Sequence, residues 1–315
     1  MSGAPGAPEQ PEEPPRSPAR QVPPQLSKDL QEAREEWAAV EEIQLGLGGP
    51  LPPISFPEAL QHFRSQCREK VQGGGHGLLS LLSCLCSPPS LRPPLRAERE
   101  LVLAMATCPL DDSQQVHLRI LQTIFQQLTR SRLGCPRYGP HWEELGFQGA
   151  DPSTDLRGTG MLGLMQLLFL LTHPQLLPLA QEIFKLSHHE TQSFPFCIMS
   201  VNITRMVLQA LKEEHLSRVC NRRQEVIPVL NHLHAATFLQ LFQLWRGQHR
   251  TIADAGFVLK ELEFSTKKKP KQLLKSLDIY MSRRLQQRSG SGAQEMDFTG
   301  VCDLQGELEG EAQLV

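Results

Sequence analysis

The chain lacks the features of a secreted or membrane-spanning protein. No apolar stretch near its first residues could act as a secretory signal. The longest apolar run, Met161 to Leu171, is well short of the ~20 residues that a membrane-spanning helix needs. We therefore expect a cytoplasmic protein with no transmembrane segment, in which this run forms a buried core helix.

The eight cysteines do not form a disulfide or metal-binding pattern. They are scattered through 315 residues, a chain long enough to bury a core without disulfides. Cys84 and Cys86 form a C-x-C, but no second pair and no suitably spaced His accompanies them, so we expect no zinc site. Four histidines lack the i, i+4 spacing of a helical metal site: His188, His189, His232 and His234.

Aromatic residues are scarce, at 6% of the chain with two Tyr, whereas Leu is abundant. This composition favours Leu-packed helices over a sheet rich in aromatic and β-branched residues. No alternating strand pattern of useful length and no internal repeat occurs. The predicted fold class is therefore all-α, a bundle-like domain with one long functional loop.

Positive charge is missing from the final segment, because residues 289–315 contain six acidic residues and no Lys or Arg. Residues 1–50 carry four basic and nine acidic side chains. Since the whole chain has a formal net charge of −2, the body, residues 51–288, has a net charge of +9. A basic body suits an acidic protein surface, a phosphate group or an anionic membrane face. A solvated basic surface with no partner is the alternative, and we expect no nucleic-acid partner.

Composition divides the chain into four parts. Closely spaced prolines in residues 1–26 predict a disordered tail, and P-x-x-P spacings there are a weak SH3-docking signal. We expect an N-terminal helical extension and linker over 27–94, the main helical domain over 95–287, and a disordered acidic tail over 288–315.

Helical periodicity and capping signals place the individual helices. Ser27 is a predicted N-cap, and Ser55 is another, with Glu58 closing its capping box and Pro57 tolerated in the first turn. The predicted helices are Lys28–Gln44, a helix from Ser55 to about Val71, Gly77–Cys86, one from Ala97, one around Val116–Leu128, Gly160–Thr172, Gln175–His188, Phe194–Glu214, Val226–Arg246, Ala253–Phe264 and Leu273–Arg284. Pro88–Pro94 is a predicted linker, and Pro136–Pro152 is a predicted long loop with a short helical turn.

The most informative stretch runs from His141 to Gly160. It has Gly at four positions and Pro at one, so its backbone is predicted to turn rather than to continue a helix. Trp142 and Phe147 are large enough to anchor such a loop on the core. Arg157 stands just before Gly158, where it is well placed to reach a partner.

This stretch resembles the signature of the ELMO domain. The resemblance is carried by Trp142, the run Gly146-Phe147-Gln148-Gly149, Asp151-Pro152, Thr154-Asp155 and Arg157-Gly158. Leu156 stands where family members often have Phe, and the wider resemblance covers about residues 97–285. It implies a helical ELMO domain and stimulation of GTP hydrolysis on Arf/Arl-family small GTPases. The large scaffold members that work with exchange factors lack the Arg that this chain keeps.

The resemblance implies a role for each residue of the motif. Arg157 is the predicted catalytic residue, an arginine finger. The predicted loop-supporting residues are Trp142, Gly146, Phe147, Gln148, Asp151, Pro152, Thr154, Asp155 and Gly158. GTP and Mg²⁺ would be bound by the partner GTPase, since this chain has no G-x-x-x-x-G-K-[ST] loop and no cofactor of its own is expected.

Several alternatives stay open at this level. Arg157 could instead pair with Asp151 or Asp155 and only fix the loop. The domain could be a non-catalytic adaptor for a small GTPase or a cytoskeletal partner such as actin, which would place it at the cytoskeleton. A third alternative is a membrane-surface scaffold. The basic cluster Lys267–Lys271 could contact anionic lipid or direct nuclear import, or it could be a solvated loop.

Overall fold

A computed structural model describes residues 51–71 and 90–289 of the chain. Several predictions lie outside these residues: the Pro-rich and acidic tails, the helices Lys28–Gln44 and Gly77–Cys86, and the C-x-C of Cys84 and Cys86. Within the described residues the secondary structure is helical, without strands, which confirms the all-α prediction.

The described ranges contain eleven α-helices. They are α1 (Phe56–Val71), α2 (Pro93–Thr107), α3 (Gln115–Thr129), α4 (His141–Glu144), α5 (Gly160–Thr172), α6 (Leu177–Ser187), α7 (Phe196–Lys212), α8 (Ser217–Arg223), α9 (Ile227–Gly247), α10 (Ala255–Lys268) and α11 (Pro270–Ser289). Two 3₁₀ turns, Pro152–Asp155 and Ile252–Asp254, precede α5 and α10.

Helix α5 lies at the centre of the bundle. Eleven of its thirteen residues are buried, because it is apolar on every face and must be enclosed by other helices. It packs against α1, α2, α3, α6, α7 and α9. The 21-residue α9 is the second central helix and also contacts α10 and α11. The motif stretch thus leads directly into the most buried helix of the fold.

Helix α1 shares this core. The Ser55 Oγ accepts a hydrogen bond from the Glu58 N–H at 3.4 Å, as the capping prediction requires. The Glu58 carboxylate, however, accepts from the Arg119 guanidinium at 2.6 Å rather than returning to the cap. Phe63 is buried against the bundle, and α1 contacts α2, α3 and α5. The predicted domain limit between residues 94 and 95 stays a prediction. Helix α1, which precedes that limit, packs against α2, α3 and α5.

Most predicted helices occur within a few residues of their expected bounds, and α5 begins and ends as predicted. Helix α2 begins at Pro93 rather than Ala97, since two prolines are accommodated in its first turn. Helix α11 likewise begins at Pro270, before the predicted Leu273. The seven-residue helix α8, Ser217–Arg223, was not expected from the sequence.

No single helix of the described part of the chain is long and apolar enough to cross a membrane. By length and composition α5 and α6 would suffice together, but the two helices are bent at 110°.

Candidate functional site

The motif loop, residues 139–160, is fastened to the core by two aromatic side chains. Trp142 is fully buried, and its indole N–H donates to the Arg137 carbonyl at 3.0 Å. Phe147 is also buried and meets Trp142 edge to face, with ring centroids 5.9 Å apart. Both side chains sit in the core and leave the polar part of the loop at the surface.

The turn at Gly146 brings the loop against the start of α7. Gly146 has φ +86°, and a Cβ there would lie 2.3 Å from the Phe196 backbone nitrogen. The Leu145 and Gly146 carbonyls accept from the Cys197 and Ile198 N–H groups at 3.2 and 3.0 Å. The loop backbone therefore caps α7, whose first turn has no side-chain cap.

Asp151 organises the second half of the loop. Its carboxylate accepts from the Ser153 backbone N–H at 2.9 Å, from the Ser153 hydroxyl at 2.6 Å and from Arg137 at 2.8 Å. Partial burial by itself acts to raise the pKa of Asp151. The hydrogen bonds from Ser153 and Arg137 have the larger combined effect, so the pKa of Asp151 lies below its usual value. Pro152 is buried and begins the 3₁₀ turn, and the Thr154 hydroxyl donates to the Asp151 carbonyl.

Asp155 joins the two halves of the loop. It is buried, and its Oδ2 accepts from the Gln148 backbone N–H at 2.8 Å, while the Gln148 side chain is exposed. The Asp155 Oδ1 has no hydrogen-bond partner among the described residues. Burial raises the pKa of Asp155, and the bond from Gln148 only partly offsets that effect.

Arg157 is exposed at the far end of the loop. No described residue forms a hydrogen bond or ion pair with its guanidinium, so Arg157 pairs with neither Asp151 nor Asp155. Asp151 accepts from Ser153 and Arg137, and the Oδ2 of Asp155 accepts from the Gln148 N–H. Its backbone is held instead, because Arg205 on α7 donates to the Arg157 carbonyl at 3.3 Å. Gly158 follows with φ +84°, a conformation that favours glycine.

Gly160 fixes the chain just beyond Arg157. Its φ is +48°, and a Cβ there would lie 2.6 Å from the Cys108 carbonyl oxygen. That carbonyl accepts from the Met161 N–H at 2.8 Å, which ties the start of α5 to the end of α2. Arg157 therefore projects from a backbone that is held on both sides.

Two arginines of the site were missed by sequence reasoning. The Arg137 guanidinium bridges Asp112 and Asp151, at 2.5 and 2.8 Å, and its carbonyl receives the Trp142 indole. Arg205 braces the Arg157 carbonyl across 48 residues of sequence. The only sequence signal was that each lies on the basic body, which singles out neither.

A groove of about 560 Å³ lies beside the loop. Its lining residues include Glu143, Glu144 and Phe147 from the motif loop, together with His188, Phe194 and Ile252. The His188 ring Nε2 lies 3.1 Å from the Glu144 carbonyl oxygen, which connects α4 with the end of α6. The groove is thus lined by apolar side chains and by two acidic ones. Arg157 does not line it.

The predicted site residues thus divide into distinct structural groups. Trp142, Phe147, Pro152 and Asp155 are buried, whereas Gln148, Thr154, Arg157 and Gly158 are exposed. Over residues 51–71 and 90–289, no group of three or more His, Cys, Asp or Glu side chains is placed to hold a metal ion.

Comparison with known proteins is consistent with this architecture. The family model for the ELMO/CED-12 family matches residues 100–259, a range that includes the whole motif loop. The chain is 49% identical to ELMO domain-containing protein 3 of Mus musculus and 50% identical to that of Homo sapiens, with 89% of this chain and 80% of each relative covered. It is 31% identical to ELMO domain-containing protein 2 of Homo sapiens over 40% of this chain and 42% of the relative. No solved structure matches the chain significantly. The chain belongs to the ELMO/CED-12 family.

Proposed function

We propose that this protein is a GTPase-activating protein for Arf/Arl-family small GTPases and that Arg157 is its arginine finger. Family membership supports the class of partner. The observation that carries the assignment of Arg157 is its geometry: an exposed guanidinium without a partner among the described residues, on a backbone fixed at its carbonyl and at Gly160.

The chemistry would take place in the partner's nucleotide site. The GTPase holds GTP and Mg²⁺, and negative charge builds up on the β–γ bridging and γ-phosphate oxygens as the γ-phosphoryl group leaves. The Arg157 guanidinium is always charged and planar, so it can donate two hydrogen bonds to these oxygens at once. An arginine finger accelerates hydrolysis about 10³–10⁵-fold.

The rigidity of the loop supports this role. A donor that is already in place when the partner docks does not have to be ordered during the reaction, and preorganised charge stabilises a transition state most effectively. Asp155 fixes the loop internally by accepting from Gln148, and Arg205 fixes the backbone at Arg157. Only the Arg157 side chain then has to become ordered.

The groove beside the loop favours a second candidate, a non-catalytic adaptor. Glu143, Glu144 and Phe147 offer a binding surface that does not include Arg157. A small GTPase or a cytoskeletal protein could be held there without any acceleration of hydrolysis, and the protein would then be found with that partner.

Single-turnover GTP hydrolysis by purified Arf/Arl GTPases, with and without this protein, tests the proposal. We expect the native chain to accelerate hydrolysis. In Arg157→Lys the stimulated rate of GTP hydrolysis should fall about 10³-fold, because an ammonium cannot reproduce the planar pair of donors. Arg218→Lys, an exposed arginine on α8, is the matched control and should retain full acceleration.

Binding to the same GTPases separates the two candidates. A GTPase-activating protein prefers the GTP-loaded form, and Arg157→Lys changes the hydrolysis rate far more than the affinity. Binding without acceleration, unchanged in Arg157→Lys, would support the adaptor. Acceleration that persists in Arg157→Lys would show that Arg157 is not the finger.

A further inference from the structure

Helix α10 carries an exposed apolar stripe that nothing in the proposed GTPase chemistry uses. The Phe257 side chain is 62% exposed and that of Phe264 is 57% exposed. They are seven residues apart, so they lie on the same face of the helix, about 10 Å from each other along its axis. Ile252, in the 3₁₀ turn before α10, is 55% exposed.

The opposite face of α10 is already satisfied by the core. Val258 and Leu262 are buried, as are Ser265 and Thr266, and α10 packs against α7, α9 and α11. Phe257 and Phe264 are therefore not part of the core, because other residues of α10 already fill its buried face. They form a second, outward apolar face, which demands a separate explanation.

Lysines alternate with these aromatic residues. Lys260 and Lys268 are exposed at helical spacing from Phe257 and Phe264, so they lie on the same stripe. Lys269 and Lys271 continue the positive charge into the start of α11. Residues 246–286 carry ten Lys or Arg and four Asp or Glu.

The acidic side chains on and beside the stripe cancel only part of this charge. Half-buried Glu261, four residues after Phe257, offsets one of the four lysines on the stripe and at the start of α11. Glu263 is paired with Lys267, which also contacts Glu213, and Asp254 is paired with Arg250. The side-chain ammonium groups of four lysines form no hydrogen bond or ion pair with the described part of the chain: Lys260, Lys268, Lys269 and Lys271. They remain available to an anionic partner.

From this combination we infer that the outward face of α10 binds the surface of an anionic phospholipid membrane, with Phe257 and Phe264 inserted between headgroups. Exposed aromatics flanked by Lys are the pattern of helices that lie in a membrane interface. The centre of a protein–protein interface, in contrast, is depleted of Lys. The stripe alternates Lys with Phe, so the membrane accounts for it better than a protein partner does.

The outward face of α10 lies next to the groove beside the motif loop. Ile252 belongs both to the exposed apolar group and to the lining of the groove that Glu143 and Glu144 border. The membrane-facing surface and the candidate partner surface are therefore neighbours. This inference does not depend on GTPase activation, because it concerns lipid binding alone.

Vesicle co-sedimentation of the full chain tests the inference. Vesicles of phosphatidylcholine with phosphatidylserine are compared with vesicles of phosphatidylcholine alone, at low and at high salt. We expect binding to the anionic vesicles only, weakened by salt. Removing one Lys near an anionic surface weakens binding about fivefold, and Lys260→Glu should weaken it further because it also adds a negative charge. Phe257→Ser and Phe264→Ser should each weaken it about tenfold.

Matched controls lie elsewhere on the surface. Leu133→Ser removes another exposed apolar side chain, 65% exposed, and Lys185→Glu reverses an exposed lysine on α6. Both should bind vesicles as the native chain does. Absence of vesicle binding by the full chain overturns the inference. That result would mean that the face binds something else, either the acidic residues 290–315 or a protein partner. Binding that survives both Phe substitutions also overturns it.

Discussion

The Arg205 guanidinium donates a hydrogen bond to the backbone carbonyl of Arg157, with an N···O distance of 3.3 Å. Arg205 is itself held by the Asn202 side chain, one turn earlier on α7, at 2.9 Å. The backbone that carries the proposed finger is thus tied to a helix of the bundle. Arg205 is a positioning residue in this scheme, since it acts through Arg157.

Arg205→Ala should reduce the stimulated rate of GTP hydrolysis at saturating protein about 10–100-fold, because a small displacement of a catalytic group is costly. The concentration needed for half-maximal stimulation should change much less. Thermal unfolding should be nearly unaffected, because Arg205 is exposed. Arg218→Ala provides the matched control. An equal loss in affinity and rate would instead mean that Arg205 contacts the partner directly.

Gly146→Ala should lower the free energy of unfolding by about 2–4 kcal/mol. The new Cβ would meet the Phe196 backbone nitrogen at 2.3 Å, and φ +86° is unfavourable for alanine. Gly149→Ala, in the same loop, is the control, because no atom lies within 4 Å of a Cβ there. Urea unfolding measures both variants. Equal stability of the two would show that the loop relaxes without cost.

Asp151→Ala should destabilise the protein by about 1–3 kcal/mol and reduce stimulation of the GTPase, since it removes the cap of the 3₁₀ turn and leaves Arg137 with one acceptor. Asp112→Ala removes the other, more exposed acceptor of Arg137 and should cost about 0–1 kcal/mol. Urea unfolding and the hydrolysis assay report the two effects. If Asp112→Ala reduced stimulation as much as Asp151→Ala, the ion pairs of Arg137 would matter more than the cap.

His234 should make the fold sensitive to acid. It is fully buried between α7 and α9, where burial lowers its pKa from 6.5 to about 4. The unfolded chain takes up this proton first, so stability is present above about pH 6.5 and is lost as the pH falls towards 4, by on the order of 3 kcal/mol.

His234→Gln should flatten that part of the profile when the free energy of unfolding is measured between pH 4 and 6.5. His189→Gln, an exposed histidine, should leave the native profile unchanged. Identical profiles for the native chain and His234→Gln would assign the acid sensitivity to other groups.

The long helices could be predicted because each buries a continuous apolar pattern. Helix α5 is almost uniformly apolar and follows a glycine, so both its existence and its bounds are evident from sequence. Helix α8 has only seven residues, three of them arginines, which is too short for a periodic signal. The start of α2 depends on tertiary packing, because Leu91 and Leu95 on either side of the two prolines are buried in the core.

The motif loop could be predicted as a unit because its residues are contiguous. Its internal bonds, such as that between Asp155 and the Gln148 N–H, span seven residues and follow from ordinary turn chemistry. The contact from Arg205 spans 48 residues and joins an exposed helix position to a backbone carbonyl. A local pattern contains no information about such a contact, so only the fold reveals it.

The carbonyls of Leu145 and Gly146 complete the first turn of α7, which makes two amides of that helix reporters on the loop. The Cys197 and Ile198 N–H groups can exchange with deuterated solvent only when the loop lifts away from them. Their exchange rates therefore measure the opening free energy of the motif loop directly in the resting protein. A bound GTPase, a bound membrane and a loop substitution can all be compared on that one scale.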